Sequence, residues 1–229
     1  MPSLAVGGRR IEYSVVRGRS AHYTYFRFRP DLTLEVAVPT RRRVDVEAEI
    51  RAKQRWVLNE AARLASIKPV LGDDYVMYGG VANRLNFVQG ANEALSHDPA
   101  NSAVTVRAAD RRRVREMVRR WFLKETSAYV VRKVSELAPV VGVRPSRVDT
   151  REIGKWGYCT VGGRLTFSSQ LVALPDRLRE YVVLHELTHL AVFDHSQAFR
   201  RRLGALCPDR RSLEKELDSY LPYDRFSPP

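Results

Sequence analysis

HELTHLAVFDHS spans His185–Ser196 and holds three of the chain's five histidines. The residues around it read as a helix from about Pro175 to Phe193, with the proline where a first turn tolerates it. Leu178, Val182, His185 and His189 share one face, while Leu184, Leu187 and Leu190 lie on another. A helix apolar on nearly every side is normally buried. Two histidines and a glutamate inside such a helix need partners, because an unpaired buried polar group is costly.

A metal ion would be one such partner. In His185-Glu186-Leu187-Thr188-His189 the two histidines stand four residues apart. Four residues of helix advance about 6 Å and return to nearly the same face, so both imidazoles reach one cation. Imidazole nitrogen suits zinc. Glu186 is about 100° round the helix, off the ligand face but long enough to reach a water held by the metal. Zinc lowers the pKa of such a water to about 7, and a glutamate placed there takes its proton as general base. His195 is expected as the third ligand. A straight helix would carry it some ~15 Å beyond His185, so the chain has to turn first. Asp194 and Ser196 are both N-cap residue types, and SQAFRRRLGAL reads as a new helix from Ser196. Three protein ligands and one open position describe a catalytic zinc site. A closed, structural site would take Cys159 or Cys207 as fourth ligand. Glu214 or Glu216 is the alternative to His195; otherwise both read as a solvated face of the last helix.

With 229 residues, 44% hydrophobic and 28% charged, the composition is globular and the length suits one large domain or two small ones. No run approaches the ~20 apolar residues of a membrane span. MPSLAVGGRR has no apolar segment followed by a cleavage site, so it does not read as a signal peptide. Two cysteines are too few for a disulfide framework, and a reducing, cytoplasmic setting is expected. A net charge of +13 points to DNA or another polyanion as a partner, through counterion release. Against this, 33 of the 39 basic residues are arginine and they are spread along the whole chain, as a GC-rich coding sequence would also give.

Upstream, IEYSVVRG, HYTYFRFRP and LTLEVAVP alternate at period two and predict a three-stranded antiparallel meander over residues 11–38, with a turn at RPDL. Residues 46–66 change to helical period, with Asp45 as N-cap, Ile50, Val57, Ala61 and Leu64 on one face, and a stop at Lys68-Pro69. A hairpin over 75–90 turns near Gly79-Gly80, 91–102 reads as a polar loop, and 103–108 as a strand. Arg111 to Leu137 form a long amphipathic helix on Val114, Met117, Val118, Trp121, Phe122, Tyr129 and Val130. PVVGVRPS (139–146) then marks a boundary between residues 1–140 and 141–229. WGYCTVGGRLTFSSQL (156–171) reads as a hairpin through Gly162-Gly163. His22, in a strand, and His97, in the polar loop, are expected at the surface without a role. No internal repeat is legible.

HELTHLAVFDHSQAF, preceded by KWGYC and GRLTF and followed by CPD, resembles the SprT/YgjP-like zinc metallopeptidase family. That family shows an RWGSC-like hairpin, a YVVxHELxHL helix, an NHSxxFW segment and a PD turn. The strands ending in AVP and the segment AEIRAKQRWV extend the likeness over nearly the whole chain. The resemblance implies a compact gluzincin-like core, with His185, His189 and His195 on zinc and Glu186 as general base. Lys155 and Tyr158 replace the hairpin's arginine and serine, Arg200 replaces a tryptophan, and Val192 stands where a metzincin has glycine. Trp156 is expected to pack, and Cys159 to be a buried thiol.

The expected fold is therefore α+β: N-terminal antiparallel strands with two long helices, followed by a minimal zincin core around the HExxH helix. The expected activity is zinc-dependent hydrolysis of peptide bonds in a protein or peptide substrate, with no membrane partner. Tyr158 and Arg164 are candidates for stabilising the oxyanion, although surface or packing roles fit them better. Two other readings stay open: hydrolysis of a nucleotide phosphoanhydride at the same metal, with arginines clamping phosphate, and a basic polyanion-binding protein with structural zinc.

Overall fold

Valine, leucine and phenylalanine concentrate in a few strands, and those strands take the centres of the sheets. The computed structural model describes residues 1–18, 23–29, 32–67 and 70–220. His22, Pro30 and Asp31 of the expected turn, and the expected helix stop at Lys68-Pro69, lie outside the described residues. The chain divides into two compact units, Met1–Lys68 and Pro69–Tyr223.

The first unit carries β1 (Ser3–Val6), β2 (Arg9–Gly18), β3 (Tyr25–Phe28) and β4 (Leu34–Pro39), followed by α1 (Val46–Ala52) and α2 (Gln54–Ser66). The strand order is β1-β2-β4-β3, with β2 and β4 parallel. The expected antiparallel meander is therefore corrected. β4 lies between β2 and β3, because its Leu34, Val36 and Val38 are fully buried while Tyr25 and Arg27 suit β3 to an exposed edge. Asp45 caps α1 as expected, accepting from the Ala48 amide at 3.1 Å. The single helix expected over 46–66 breaks at Lys53 into α1 and α2, yet Ile50, Val57, Ala61 and Leu64 are all buried.

The second unit repeats that sheet. β5 (Tyr75–Tyr78), β6 (Val81–Gln89), β7 (Ala94–Asp98) and β8 (Ala103–Ala108) take the order β5-β6-β8-β7, with β6 and β8 parallel. The first hairpin of each sheet turns on a Gly-Gly pair: Gly7-Gly8 in one, Gly79-Gly80 in the other. Gly79 and Gly80 both have positive φ (62° and 82°), the backbone a two-residue hairpin requires. Beyond the Gly-Gly turn, this duplication of topology was not legible as sequence similarity. Residues 94–98, expected in a loop, are the edge strand β7. Its polarity is that of a strand exposed along one side.

α3 (Val114–Val141) spans the unit. Its first half packs Val114, Met117, Val118 and Phe122 on Leu85, Val104 and Val106 of the sheet. Its second half packs Tyr129, Val130, Val134, Ala138 and Val141 into the core around Leu165, Phe167, Leu178 and Leu187. One helix thus serves both cores. The compact division consequently falls at Lys68/Pro69, not at the expected 140/141.

Beyond it come β9 (Arg147–Arg151), β10 (Gly157–Cys159), β11 (Arg164–Ser168), α4 (Asp176–Ala191), α5 (Gln197–Leu206) and α6 (Arg210–Leu217). β10 and β11 form the expected hairpin, β9 joins β11 in parallel, and β10 is an edge of the sheet β10-β11-β9. The molecule is α+β, as expected. Phe167 is fully buried between this sheet and the helices, so Phe167→Ala should cost about 3–5 kcal/mol, read by urea unfolding of the full chain. A loss below ~1 kcal/mol would mean that the core collapses around the cavity or is not packed as described.

Candidate metal centre

α4 is buried at Leu178, Tyr181, Val182, Val183, Leu184, Glu186, Leu187, Thr188 and His189, the all-round burial its composition implies. It stops at Ala191, and the chain turns through Val192–Ser196 before α5 begins. Asp194 makes that turn by accepting from the Ser196 amide at 3.2 Å. The turn brings His195 back to the helix. His185 Nε2 lies 3.1 Å from His195 Nε2 and 3.2 Å from His189 Nε2. Each residue offers one ligand atom, and these three lie within 4.8 Å of one another.

Three imidazole nitrogens meeting this closely repel one another through their lone pairs unless a hydrogen or a cation lies between them. The donor set therefore fits a divalent cation, and three nitrogens with room for a fourth ligand fit zinc. His189 is fixed from behind, its Nδ1–H donating to the Val192 carbonyl at 3.3 Å. Neither Cys159 nor Cys207 joins the cluster among the described residues. Glu214 and Glu216 are not part of it either. Glu216 pairs with Arg177, and Glu214 takes hydrogen bonds from Tyr181 (3.0 Å) and Arg210 (3.1 Å). Glu214 is exposed on α6, as the solvated-face reading expects, and its carboxylate also reaches Tyr181.

Glu186 is 6% exposed, and its Oε2 is buried with no hydrogen-bond partner. Burial pushes its carboxyl up to about 8, with Lys155 pulling weakly the other way. Gly157 on β10 makes room for it: a Cβ there would lie 2.9 Å from Glu186 Cγ and 3.0 Å from Oε1. Cys159 stands on the same face of β10 and feels the same carboxylate. Desolvation first, then Glu186, raises its thiol above the usual range, which makes it a poor nucleophile. Strand alternation turns Tyr158 to the opposite face. Arg164 lies on that face too, where its Nε is 3.6 Å from Asp149. Neither oxyanion candidate is directed at Glu186.

Phe199 of α5 is the contributor that sequence spacing did not single out. It is 2% exposed and packs on all three imidazoles, with ring centroids 5.0 Å from His185, 4.4 Å from His189 and 5.0 Å from His195. Its sequence signal is its place in the HSQAF segment that resembles the family's NHSxxFW, near the start of the helix that follows His195. Away from the centre, His97 also departs from expectation. It contacts Asn83 at 3.2 Å and packs against Tyr78 and Trp121.

A pocket of about 320 Å³ opens beside His185 and Glu186. Trp156, Gly157, Tyr181 and Val182 line it from the core side, and Glu214, Leu217 and Asp218 from α6 and its end. Among the described residues, no lysine or arginine lines it.

The metal-free protein should show these groups in its pH dependence. Glu186 ionises near pH 8 when folded, against 4.5 ordinarily, so its effect is fully favourable below about pH 4.5 and stability is lost as pH rises towards 8. His185 is pushed down to about 4 by burial and by His189 and His195, so its contribution is complete above 6.5 and is lost as pH falls towards 4. The two oppose each other in between, which leaves Glu186 alone above 6.5. Chelator-treated Glu186→Gln is expected to melt higher than chelator-treated wild type at the pH where Glu186 is half ionised, about 8. The two should converge near pH 4.5. Equal melting at both would show that the carboxyl is not held dry.

Comparison with known proteins adds two findings. The model of the YgjP-like, metallopeptidase domain family matches residues 22–220. A crystal structure of the metallopeptidase zymogen of Pyrococcus abyssi abylysin is similar with a TM-score of 0.36 and 21% identity, over 38% of this chain and 90% of that one. No curated protein matches the chain.

Proposed function

Since the chain belongs to the YgjP-like metallopeptidase family, we propose that it is a zinc-dependent hydrolase of peptide bonds acting through His185, Glu186, His189 and His195. One observation carries this reading: three imidazole nitrogens converge beside a buried carboxyl oxygen that has no other partner. His185, His189 and His195 would hold the metal. When bound, zinc supplies a Lewis acid that polarises the scissile carbonyl and makes water a nucleophile at neutral pH. Glu186 takes the proton from that water and returns it to the leaving amine. Its dry surroundings strengthen it as the base, because a carboxylate out of water holds a proton more firmly. Gly157 leaves the space in which it moves.

The pocket beside Glu186 favours a peptide over a nucleotide. Phosphate binding calls for arginine forks or a nest of amides. Here the pocket's charged walls are Glu214 and Asp218, which repel a polyphosphate. The +13 net charge lies elsewhere and supports DNA or another polyanion as a partner of the surface, not of the pocket. No helix among the described residues is long and apolar enough to cross a membrane. Two free cysteines fit a cytoplasmic setting.

Zinc-loaded wild type and Glu186→Gln, each incubated with casein with and without single-stranded DNA, test the reading. Mass spectrometry should find new peptide termini with wild type and a loss of roughly 10²–10⁴ in rate with the variant, while zinc content stays equal. A higher rate with DNA would give the surface charge a role. Intact casein in every lane would sink the peptidase reading.

A further inference from the structure

A line of polar contacts runs from α6 into the back of His185. Arg210 Nη1 donates to Glu214 Oε1 at 3.1 Å. The Tyr181 hydroxyl, on a side chain only 3% exposed, donates to the same oxygen at 3.0 Å. His185 Nδ1 lies 3.5 Å from that hydroxyl. Proton counting fixes the direction of the last contact. A phenol has one hydrogen, and here it goes to a carboxylate that has none to give. The phenol oxygen therefore offers His185 only lone pairs, and Nδ1 must carry the hydrogen. A neutral imidazole has a single N–H. Nε2 is then left with its lone pair free, and Nε2 is the atom that faces His189 and His195.

We infer that Tyr181 and Glu214, anchored by Arg210, are positioning residues for His185: a relay from the last helix that sets the tautomer and ring orientation in which it binds metal. This rests on the reading of the three histidines as metal ligands. His189 reaches the same tautomer independently, through the Val192 carbonyl at 3.3 Å. The two ligands on α4 are thus both fixed from behind, one by backbone and the other by Tyr181 of the same helix, itself held by Glu214 from α6. Tyr181 precedes His185 by one helical turn, so its ring stacks along the same face and its hydroxyl can reach both the imidazole and α6. Phenylalanine would fill the same space but break the relay.

Zinc affinity of the full chain, measured by competition with a chromogenic chelator, tests this without relying on catalysis. Tyr181→Phe should weaken zinc binding roughly 10–100-fold, the usual loss when the partner of a ligating histidine is removed. Glu214→Gln should weaken it in the same direction by less, since the amide oxygen still accepts from Tyr181. The double variant should be no worse than Tyr181→Phe, because the two residues act in series. The visible spectrum of the cobalt(II) form should change in Tyr181→Phe, which a merely structural role would leave unmoved. Wild-type zinc affinity and an unchanged cobalt spectrum in Tyr181→Phe would overturn the relay, and so would losses that simply add. Should Tyr181→Phe fail to fold, Glu214→Gln, whose carboxylate is about 45% exposed, carries the test alone. A wild type that binds no zinc would remove the ligand reading and the relay with it, a result distinct from variants that bind as wild type does.

Discussion

A helix buried on nearly every side holds polar groups at little cost only if each is matched by something, and α4 matches three of them within the protein. Thr188 returns its hydroxyl to the Leu184 carbonyl at 2.7 Å. His189 uses the Val192 carbonyl, and His185 uses Tyr181. Glu186 alone has an oxygen with nothing to accept from. An orphaned buried carboxyl oxygen costs free energy in the resting fold. That cost is tolerable where the group acts on a ligand that comes and goes. The inner faces of the imidazoles follow the same logic. They are turned towards one another at separations that only a shared hydrogen or cation makes favourable.

The surrounding fold serves to hold this helix in place. β10 approaches with glycine at the point of contact, because any side chain at 157 would meet Glu186. α5 brings Phe199 under the three rings and fixes their spacing by packing rather than by polar contacts. α3 reaches from the β5-β6-β8-β7 sheet into the core beneath α4, so the sheet and the three-histidine site share one element. The same sheet topology occurs in the first unit, where α1 and α2 follow it, whereas the second sheet precedes the helices that bear the three histidines.

What was legible in the sequence follows from how local each signal is. His185 and His189 are four residues apart on one helix, and period 3.6 alone brings them together. His195 needed only a turn, and Asp194 and Ser196 announced it. Strand pairing is not local in this sense. The period-two pattern located β2, β3 and β4 but was silent about which lies in the middle, and burial of Leu34, Val36 and Val38 decided that. β7 was missed because an edge strand carries no apolar alternation to read. Glu214 and Phe199 belong to the site only through contacts between separate elements. The boundary expected at 140/141 rested on PVVGVRPS, but Pro139 lies inside α3 and only Gly142 ends the helix, without separating what it packs against.

Charge is arranged against the bulk composition. The chain carries +13, yet many of its arginines are tied to carboxylates: Arg27 and Arg29 to Glu35, Arg113 and Arg120 to Glu93, Arg177 to Glu216. Such exposed pairs contribute little to stability. They do, however, hold guanidinium groups in place along the surface. Beside the three histidines the pattern is reversed, with Glu186, Glu214 and Asp218 around the pocket and Arg210 held behind Glu214. A divalent cation on three neutral imidazoles brings two positive charges into a dry site, and nearby carboxylates are what that site needs to compensate them. Locally acidic and globally basic, the arrangement suits a cation beside the pocket better than a polyanion.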